Sequence, residues 1–378
     1  MGEIFCGVDW AEDHHDVAIV DSAGALLVKR RISDDVSGFG DLTSLLAEHT
    51  GTDVFVPVSI GIETDRGLLV AALRAAGHVV VPINPRAVSR YRDRHGVSGA
   101  KSDPGDALVL AQIMRTDREV HRALPDDSEQ VMALRVLARA HQDAVWARQQ
   151  TANRLRSLLR EFFPAALQAF SSLHSRTALT VLAAAPDPTQ AARLTRANLT
   201  DLLHAAGRGT RPAEAARLAE IFSAAQLHHP AAVEAAMGVA VRALITLLAA
   251  DDQAVRELEK ALEPSFESHP DAEIIDSLPG LGLVLGARVL SEFGDDRTRW
   301  ADAASRRCYA GTAPITRASG KGRVVLARYV RNRRLADACY LWAFSALTKS
   351  PGARAYYDQR RAAGDTHNRP SDASRTSS

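Results

Sequence analysis

Ile4-Phe5-Cys6-Gly7-Val8-Asp9 opens the chain with an apolar run that ends on a carboxylate. Two more strand-length runs follow, Asp16-Val17-Ala18-Ile19-Val20 and Ala25-Leu26-Leu27-Val28-Lys29-Arg30-Arg31, set off by the polar turns Glu12-Asp13-His14-His15 and Asp21-Ser22-Ala23-Gly24. Short runs punctuated by turn residues predict a three-stranded meander. Phe39, Leu42, Leu45 and Leu46 then repeat at helical spacing within 37–49. A second β run over 54–62 ends at Glu63, a helical pattern covers 67–76, and a strand over 79–83 stops at Asn84-Pro85. A helix over 87–92, a Gly-rich loop and a helix beginning at Asp103 complete the region. The order β-β-β-α-β-α-β-α predicts an α/β N-terminal domain over residues 1–120 with a ribonuclease-H-like mixed sheet.

In that topology the first strand, the end of the fourth strand and a later helix converge, which gathers Asp9, Glu63, Asp103 and Asp106. The last two stand in Lys101-Ser102-Asp103-Pro104-Gly105-Asp106-Ala107. Three residues apart on a helix, they share a face with Cβ atoms roughly 5–6 Å apart. Carboxylates that close repel unless a cation lies between them. Helix capping alone also explains the pair, with Asp103 as N-cap, Pro104 at the first helical position and Asp106 in the first turn. Four acids around one point ask for more, and their oxygen ligands suit a hard cation such as Mg²⁺.

After Pro125 the β signal stops. Val131, Leu134, Ala138, Val145, Ala152, Leu155, Leu158, Leu159 and Phe162 form an apolar stripe on a helix of about ten turns. Such length suggests a coiled coil or a projecting arm. Arg135, Arg139, Arg148, Arg154, Arg156 and Arg160 line it, as a solvated face or as contacts to nucleic-acid phosphates. Residues 231–262 form a second long helix able to return antiparallel, so 126–262 is a helical assembly region. A mainly helical C-terminal domain spans 270–360. In it Leu278-Pro279-Gly280-Leu281-Gly282 resembles the turn of a helix-hairpin-helix, where Gly280 and Gly282 let backbone N–H groups approach phosphate. Farther on, Ser319 sits in a small, flexible basic loop with Arg317, Lys321 and Arg323, followed by Arg328, Arg331, Arg333 and Arg334. A hydroxyl among cations can bind a phosphate or attack it. The Asp/Ser/Thr/Arg-rich tail, 364–378, predicts disorder.

The net charge of +1 hides an asymmetry. Residues 1–80 hold 13 acids against 5 Lys/Arg, whereas 297–334 holds 11 Lys/Arg and one acid, Asp302. An acidic front suits a divalent metal and a basic back suits a polyanion. No apolar run reads as long enough for a bilayer and no signal-peptide pattern opens the chain, so no membrane partner is expected. Cys6, Cys308 and Cys339 have no metal-ligand spacing and read as reduced thiols of a cytoplasmic protein.

Asp9 in Gly-Val-Asp-Trp, Glu63 in Gly-Ile-Glu-Thr, and Lys-Ser-Asp103-Pro-Gly-Asp106-Ala resemble the acidic tetrad of the DEDD transposases, bacterial insertion-sequence recombinases with a RuvC-like N-terminal domain. The Leu-Pro-Gly-Leu-Gly turn and Ala-Gly-Thr-Ala-Pro with Ser319-Gly-Lys resemble their C-terminal domain. Ser102 departs from the threonine expected there. The resemblance implies Mg²⁺ on the tetrad, Ser319 as the nucleophile that forms a phosphoserine intermediate, a structured guide RNA, DNA as substrate, and dimers or tetramers assembled through the helical region. A RuvC-like nuclease hydrolysing branched DNA, or a non-catalytic nucleic-acid scaffold, are the alternatives.

Overall fold

The computed structural model describes residues 3–51, 54–95, 103–209, 211–320 and 322–366, with main chain only at His95, Asp103 and Pro104. The expected disordered tail falls largely outside these residues, as do Lys101, Ser102 and Lys321. Two compact units result, Met1–Asp126 and Asp127–Ser378.

The first unit contains β1 (Ile4–Trp10), β2 (His14–Asp21), β3 (Leu26–Ser33), α1 (Val36–Thr50), β4 (Ser59–Ile62), α2 (Leu68–Ala75), β5 (Val79–Pro82), α3 (Pro85–His95) and α4 (Asp103–Thr116). The strands make one mixed sheet in the order β3-β2-β1-β4-β5. β1 is antiparallel to β2 and parallel to β4, consistent with a RuvC-like domain. One face carries Cys6, Val8, Val17, Ile19, Ile60 and Ile62 against α1 and α2. The opposite face carries Phe5, Ala18 and Val20 against Leu110, Ile113 and Met114 of α4.

Two glycines bring α4 onto the sheet. A Cβ at Gly7 would lie 2.2 Å from the Ala107 carbonyl oxygen and 2.3 Å from the Ala111 nitrogen. One at Gly61 would lie 2.7 Å from Met114 Cγ. Gln112 Nε2 donates to the Gly24 carbonyl at 2.8 Å, beside Asp21, which pairs with Ile4. The last turns of α4 therefore sit at the start of β1, and its first turn sits at the end of β1. The run expected as a strand over 54–62 pairs only from Ser59, because Pro57 lacks a ladder N–H; Val54, Phe55 and Val56 before it are exposed.

The second unit contains α5 (Glu129–Phe162), α6 (Pro164–Ala169), α7 (Arg176–Ala184), α8 (Pro188–Ala191), α9 (Arg196–Ala205), α10 (Pro212–Ser223), α11 (Ala231–Glu267), α12 (Ala272–Asp276), α13 (Leu283–Phe293), α14 (Ala303–Ala310), β6 (Ile315–Ser319), β7 (Gly322–Leu326), α15 (Arg333–Lys349) and α16 (Pro351–Ala362). α5, roughly 50 Å long at 1.5 Å per residue, packs antiparallel to α11. Gln130 meets Ser268, His141 meets Glu259, and Arg148 meets Asp252. Helices α6 to α10 gather at one end of the pair around Phe163, Leu199 and Phe222. α12 and α13 gather at the other end, around Leu134, Phe266 and Leu290. The helical region and the C-terminal region thus share one unit. Contrary to the sequence expectation, one described helix, α11, is apolar and long enough to cross a bilayer by length and composition. Its inner face packs on α5 and carries the buried acids Glu234 and Asp252.

Candidate active site and nucleic-acid interface

The sheet places a row of charged residues across one end. Asp9 pairs in register with Asp16, and Asp16 pairs with Arg31. On the other side of β1, Val8 pairs with Ile62, so Glu63 stands one step beyond, level with Asp9. Strand alternation sets the face. Gly7 and Gly61 meet α4, and Asp9 and Glu63, each two residues later, share that side. Asp106, in the first turn of α4, lies at the same end of the same face.

Two of these carboxylates are buried and compensated by arginines. Arg31 grips Asp16 in a fork, with Nε donating to Oδ1 at 3.1 Å and Nη2 to Oδ2 at 2.8 Å. Arg92 of α3 donates to Asp106. Asp16 and Asp106 are each 5% exposed, and a buried carboxylate without such a partner is costly. Asp16 was not among the residues singled out from sequence. Its signal was there: closing the turn after Trp10 sets it opposite Asp9.

The donor chemistry, carboxylate oxygen throughout, fits a hard divalent cation. Among the described residues no three acids, histidines or cysteines close on a common point as a metal cluster. Asp103 starts α4, and its carboxylate lies outside the described atoms.

Ser319 ends β6, at the tip of a hairpin rather than in an irregular loop. Ile315 pairs with Leu326 and Ser319 with Gly322. Both strands are exposed along nearly their whole length. Gly320 takes a φ of +54°, which a two-residue hairpin turn requires and glycine supplies. Arg317, two residues before Ser319, shares its face of the hairpin; Arg323, opposite Ala318, is on the other.

The remaining expected phosphate contacts divide by what already holds them. Arg317, Arg323 and Arg333 are exposed, with no ion pair among the described residues. Arg328 donates to the Ala313 carbonyl at 3.1 Å and Arg331 to the Arg328 carbonyl at 3.2 Å, so both shape the segment at the root of the hairpin. Arg334 is held by Asp143 at 2.9 Å and lies over the Trp146 ring. Gly280 is pressed on α15, where a Cβ would lie 2.6 Å from the Ala346 nitrogen. Gly282 caps α13 and faces open space.

The arginine stripe of α5 splits the same way. Arg135 pairs with Asp127, Arg139 with Glu292 and Arg148 with Asp252. Arg154 and Arg160 are exposed. Glu292 is the buried centre of one clamp, accepting from Arg139 Nε at 2.6 Å and Nη2 at 2.9 Å and from Asn332 Nδ2 at 2.6 Å. Burial works to raise its pKa, but the bonds from Arg139 and Asn332 and the nearby Arg135 charge prevail and hold it below the ordinary value. Asn332 also reaches the Tyr309 hydroxyl at 2.9 Å, so this clamp anchors the segment that carries the hairpin.

Residues 6–164 match a DEDD transposase family of the IS110 type, and residues 272–358 match the transposase IS116/IS110/IS902 family. A mini-circle transposase candidate for IS117 from Streptomyces coelicolor is 55% identical over 96% of this chain and 89% of its own length. The chain belongs to the IS116/IS110/IS902 transposase family. Two more members are more distant: the IS900 42 kDa protein of Mycobacterium paratuberculosis, 31% identical over 96% of this chain and 90% of its own, and the IS110 43.6 kDa protein of S. coelicolor, 30% identical over 96% and 89%. This transposase is therefore an enzyme acting on DNA. The first match covers the acid row, and the second covers the glycine turn and the hairpin.

Proposed function

We propose that this transposase cuts and rejoins DNA at a metal site built from Asp9, Glu63, Asp103 and Asp106, with Ser319 as nucleophile and a structured RNA as guide. The observation that supports the reading is that Asp9, Glu63 and the first turn of α4 lie on one face of the sheet at the same end. Mg²⁺ bound there would neutralise the scissile phosphate. The chain's own residues do the rest. Ser319 Oγ attacks phosphorus and gives up its proton. The phosphorus–oxygen bond to one strand breaks, and that oxygen leaves as a hydroxyl. The phosphate is then a diester of Ser319, and attack by another strand's hydroxyl restores the serine. Arg317, on the Ser319 face of the hairpin, is placed to offset charge on the non-bridging oxygens. A serine ester conserves the bond energy that rejoining needs, whereas hydrolysis by a RuvC-like nuclease would not.

The RNA component is supported by the resemblance and by the exposed arginines. Homo-oligomer formation is supported by the outward face of α11, where Ala236, Val239, Ala243, Leu247 and Ala250 repeat at three-to-four spacing and stand exposed. A protein working on DNA in this way acts in the bacterial cytoplasm. A strand-transfer assay with Mg²⁺ tests the mechanism. Wild type should yield joined product and Ser319→Ala none; joining by Ser319→Ala would overturn the serine step.

A further inference from the structure

A candidate anion-binding site lies well away in sequence from both the acids and the serine. α6, α7 and α10 border a half-open cavity of about 410 Å³ whose lining includes Arg176, Arg208, Arg217, Ser172 and Ser175. Glu214 is the acid in its wall, and its nearest approach to Arg208 is a long 3.8 Å. Arg217 spends one N–H on the Ala169 carbonyl at 3.0 Å, which fixes the guanidinium while leaving other donors. The Arg176 side chain makes no hydrogen bond or ion pair among the described residues. Three cations facing one acid leave the cavity positive.

Its floor adds neutral donors. Ser175 caps α7 by accepting from the Ala178 N–H at 3.2 Å, which leaves the N–H groups of Arg176 and Thr177 at the positive end of that helix. The cavity also continues a basic track. Arg156 of α5 reaches the Ser171 carbonyl at its edge at 3.5 Å, and Arg160, one turn on along the same side of the helix, is exposed. The Ser175 hydroxyl is itself spent on the Ser172 carbonyl at 2.9 Å, so the arginine forks and the helix N–H groups are the donor set that takes phosphate oxygens. We propose that this cavity seats a backbone phosphate of a nucleic-acid strand lying along the second half of α5. The proposal rests on the reading of the chain as a nucleic-acid enzyme, and it assigns the outer helices a binding role that the catalytic reading does not require.

The test is fluorescence anisotropy of the full chain with labelled duplex DNA and, separately, labelled structured RNA, across a salt series. Arg176→Ala/Arg208→Ala should weaken binding of one polymer about tenfold and flatten its log–log salt slope by about one, the loss of one phosphate contact. The polymer affected identifies the strand. Arg176→Gln, a single change at an exposed position, should show a smaller loss on the same polymer with an unchanged thermal melt. Unaltered affinity and slope for both polymers would overturn the proposal. So would inorganic phosphate binding that both substitutions abolish while polymer binding stays intact, which would mark a free-anion site. Wild type binding neither polymer would overturn the nucleic-acid reading itself.

Discussion

Gly7→Ala separates the steric account of the first unit from any other. The added methyl would sit 2.2 Å from one backbone atom of α4 and 2.3 Å from another. Ordinary van der Waals contact begins near 3.4 Å, so α4 must retreat by about 1 Å or β1 must bend. Overpacking costs typically about 1–3 kcal/mol. The atoms met here belong to helix backbone and cannot swing aside, which puts this case near 3 kcal/mol, about a hundredfold in an equilibrium constant. Gly40→Ala is the matched control. Gly40 lies inside α1, a Cβ there meets nothing within 4 Å, and alanine should gain about 0.5–1 kcal/mol in helix propensity. The chain has two units, so a single unfolding midpoint is a poor readout. Native-state hydrogen exchange resolves the amides of β1 and α4. Their slowest protection should fall about a hundredfold in Gly7→Ala and hold or rise in Gly40→Ala. Protection within threefold of wild type in Gly7→Ala would refute the close approach of α4. Because α4 carries Asp106, the same substitution should also depress DNA cleavage.

Removing Arg92 leaves the buried Asp106 carboxylate uncompensated, so Arg92→Gln should destabilise the first unit by about 2–3 kcal/mol; if Asp106 is a metal ligand, millimolar Mg²⁺ should restore more melting temperature in this variant than in wild type. The Glu292 clamp has a pH signature. Its folded pKa is held below the ordinary 4.5, so its stabilisation is complete above that value and is lost as pH falls through the lowered native value. Glu292→Gln should lower the melting temperature at pH 7 and flatten its fall in acid. His141 acts earlier in the descent: burial first, opposed by Glu259 and reinforced by Arg288, holds its pKa below 6.5 and favours the neutral ring in the folded state. Stability should therefore begin to drop as pH goes below about 6.5, and His141→Gln should remove that first step in a urea-midpoint series. Arg139→Ala should loosen the hairpin's root, read as faster amide exchange at Asn332 and Leu335.

Much of the first unit was legible because its signals are local. Strand-length apolar runs, turn residues and helical spacing give the order of elements, and that order puts Asp9, Glu63 and the start of α4 at one end. The long helix after Pro125 is readable for the same reason. What escaped depended on partners remote in the chain. Arg135, Arg139 and Arg148 look alike in sequence to Arg154 and Arg160, yet their acids stand elsewhere: Glu292 is 153 positions from Arg139 and Asp252 is 104 from Arg148. Arg334 was assigned to phosphate on its basic surroundings, and Asp143 holds it. Gly280 was read as open to a ligand, but α15 lies against it. The segment around Ser319 reads as a flexible loop because its small and polar composition hides the short strands, whose pairing partner is known only once Ile315 is seen opposite Leu326. Pro57 should have shortened the strand expected over 54–62.

What Ser319 does once DNA is cut decides between serine and water as the nucleophile. A nicked substrate whose released strand diffuses away would trap the cut state in the presence of Mg²⁺, and mass spectrometry of the digested protein would read the outcome. A nucleotide phosphodiester is expected on the peptide containing Ser319, and none when Asp106 is replaced by Asn. Cleavage to completion with that peptide unmodified and no other residue linked to DNA would mean that water is the nucleophile, and would contradict the serine step.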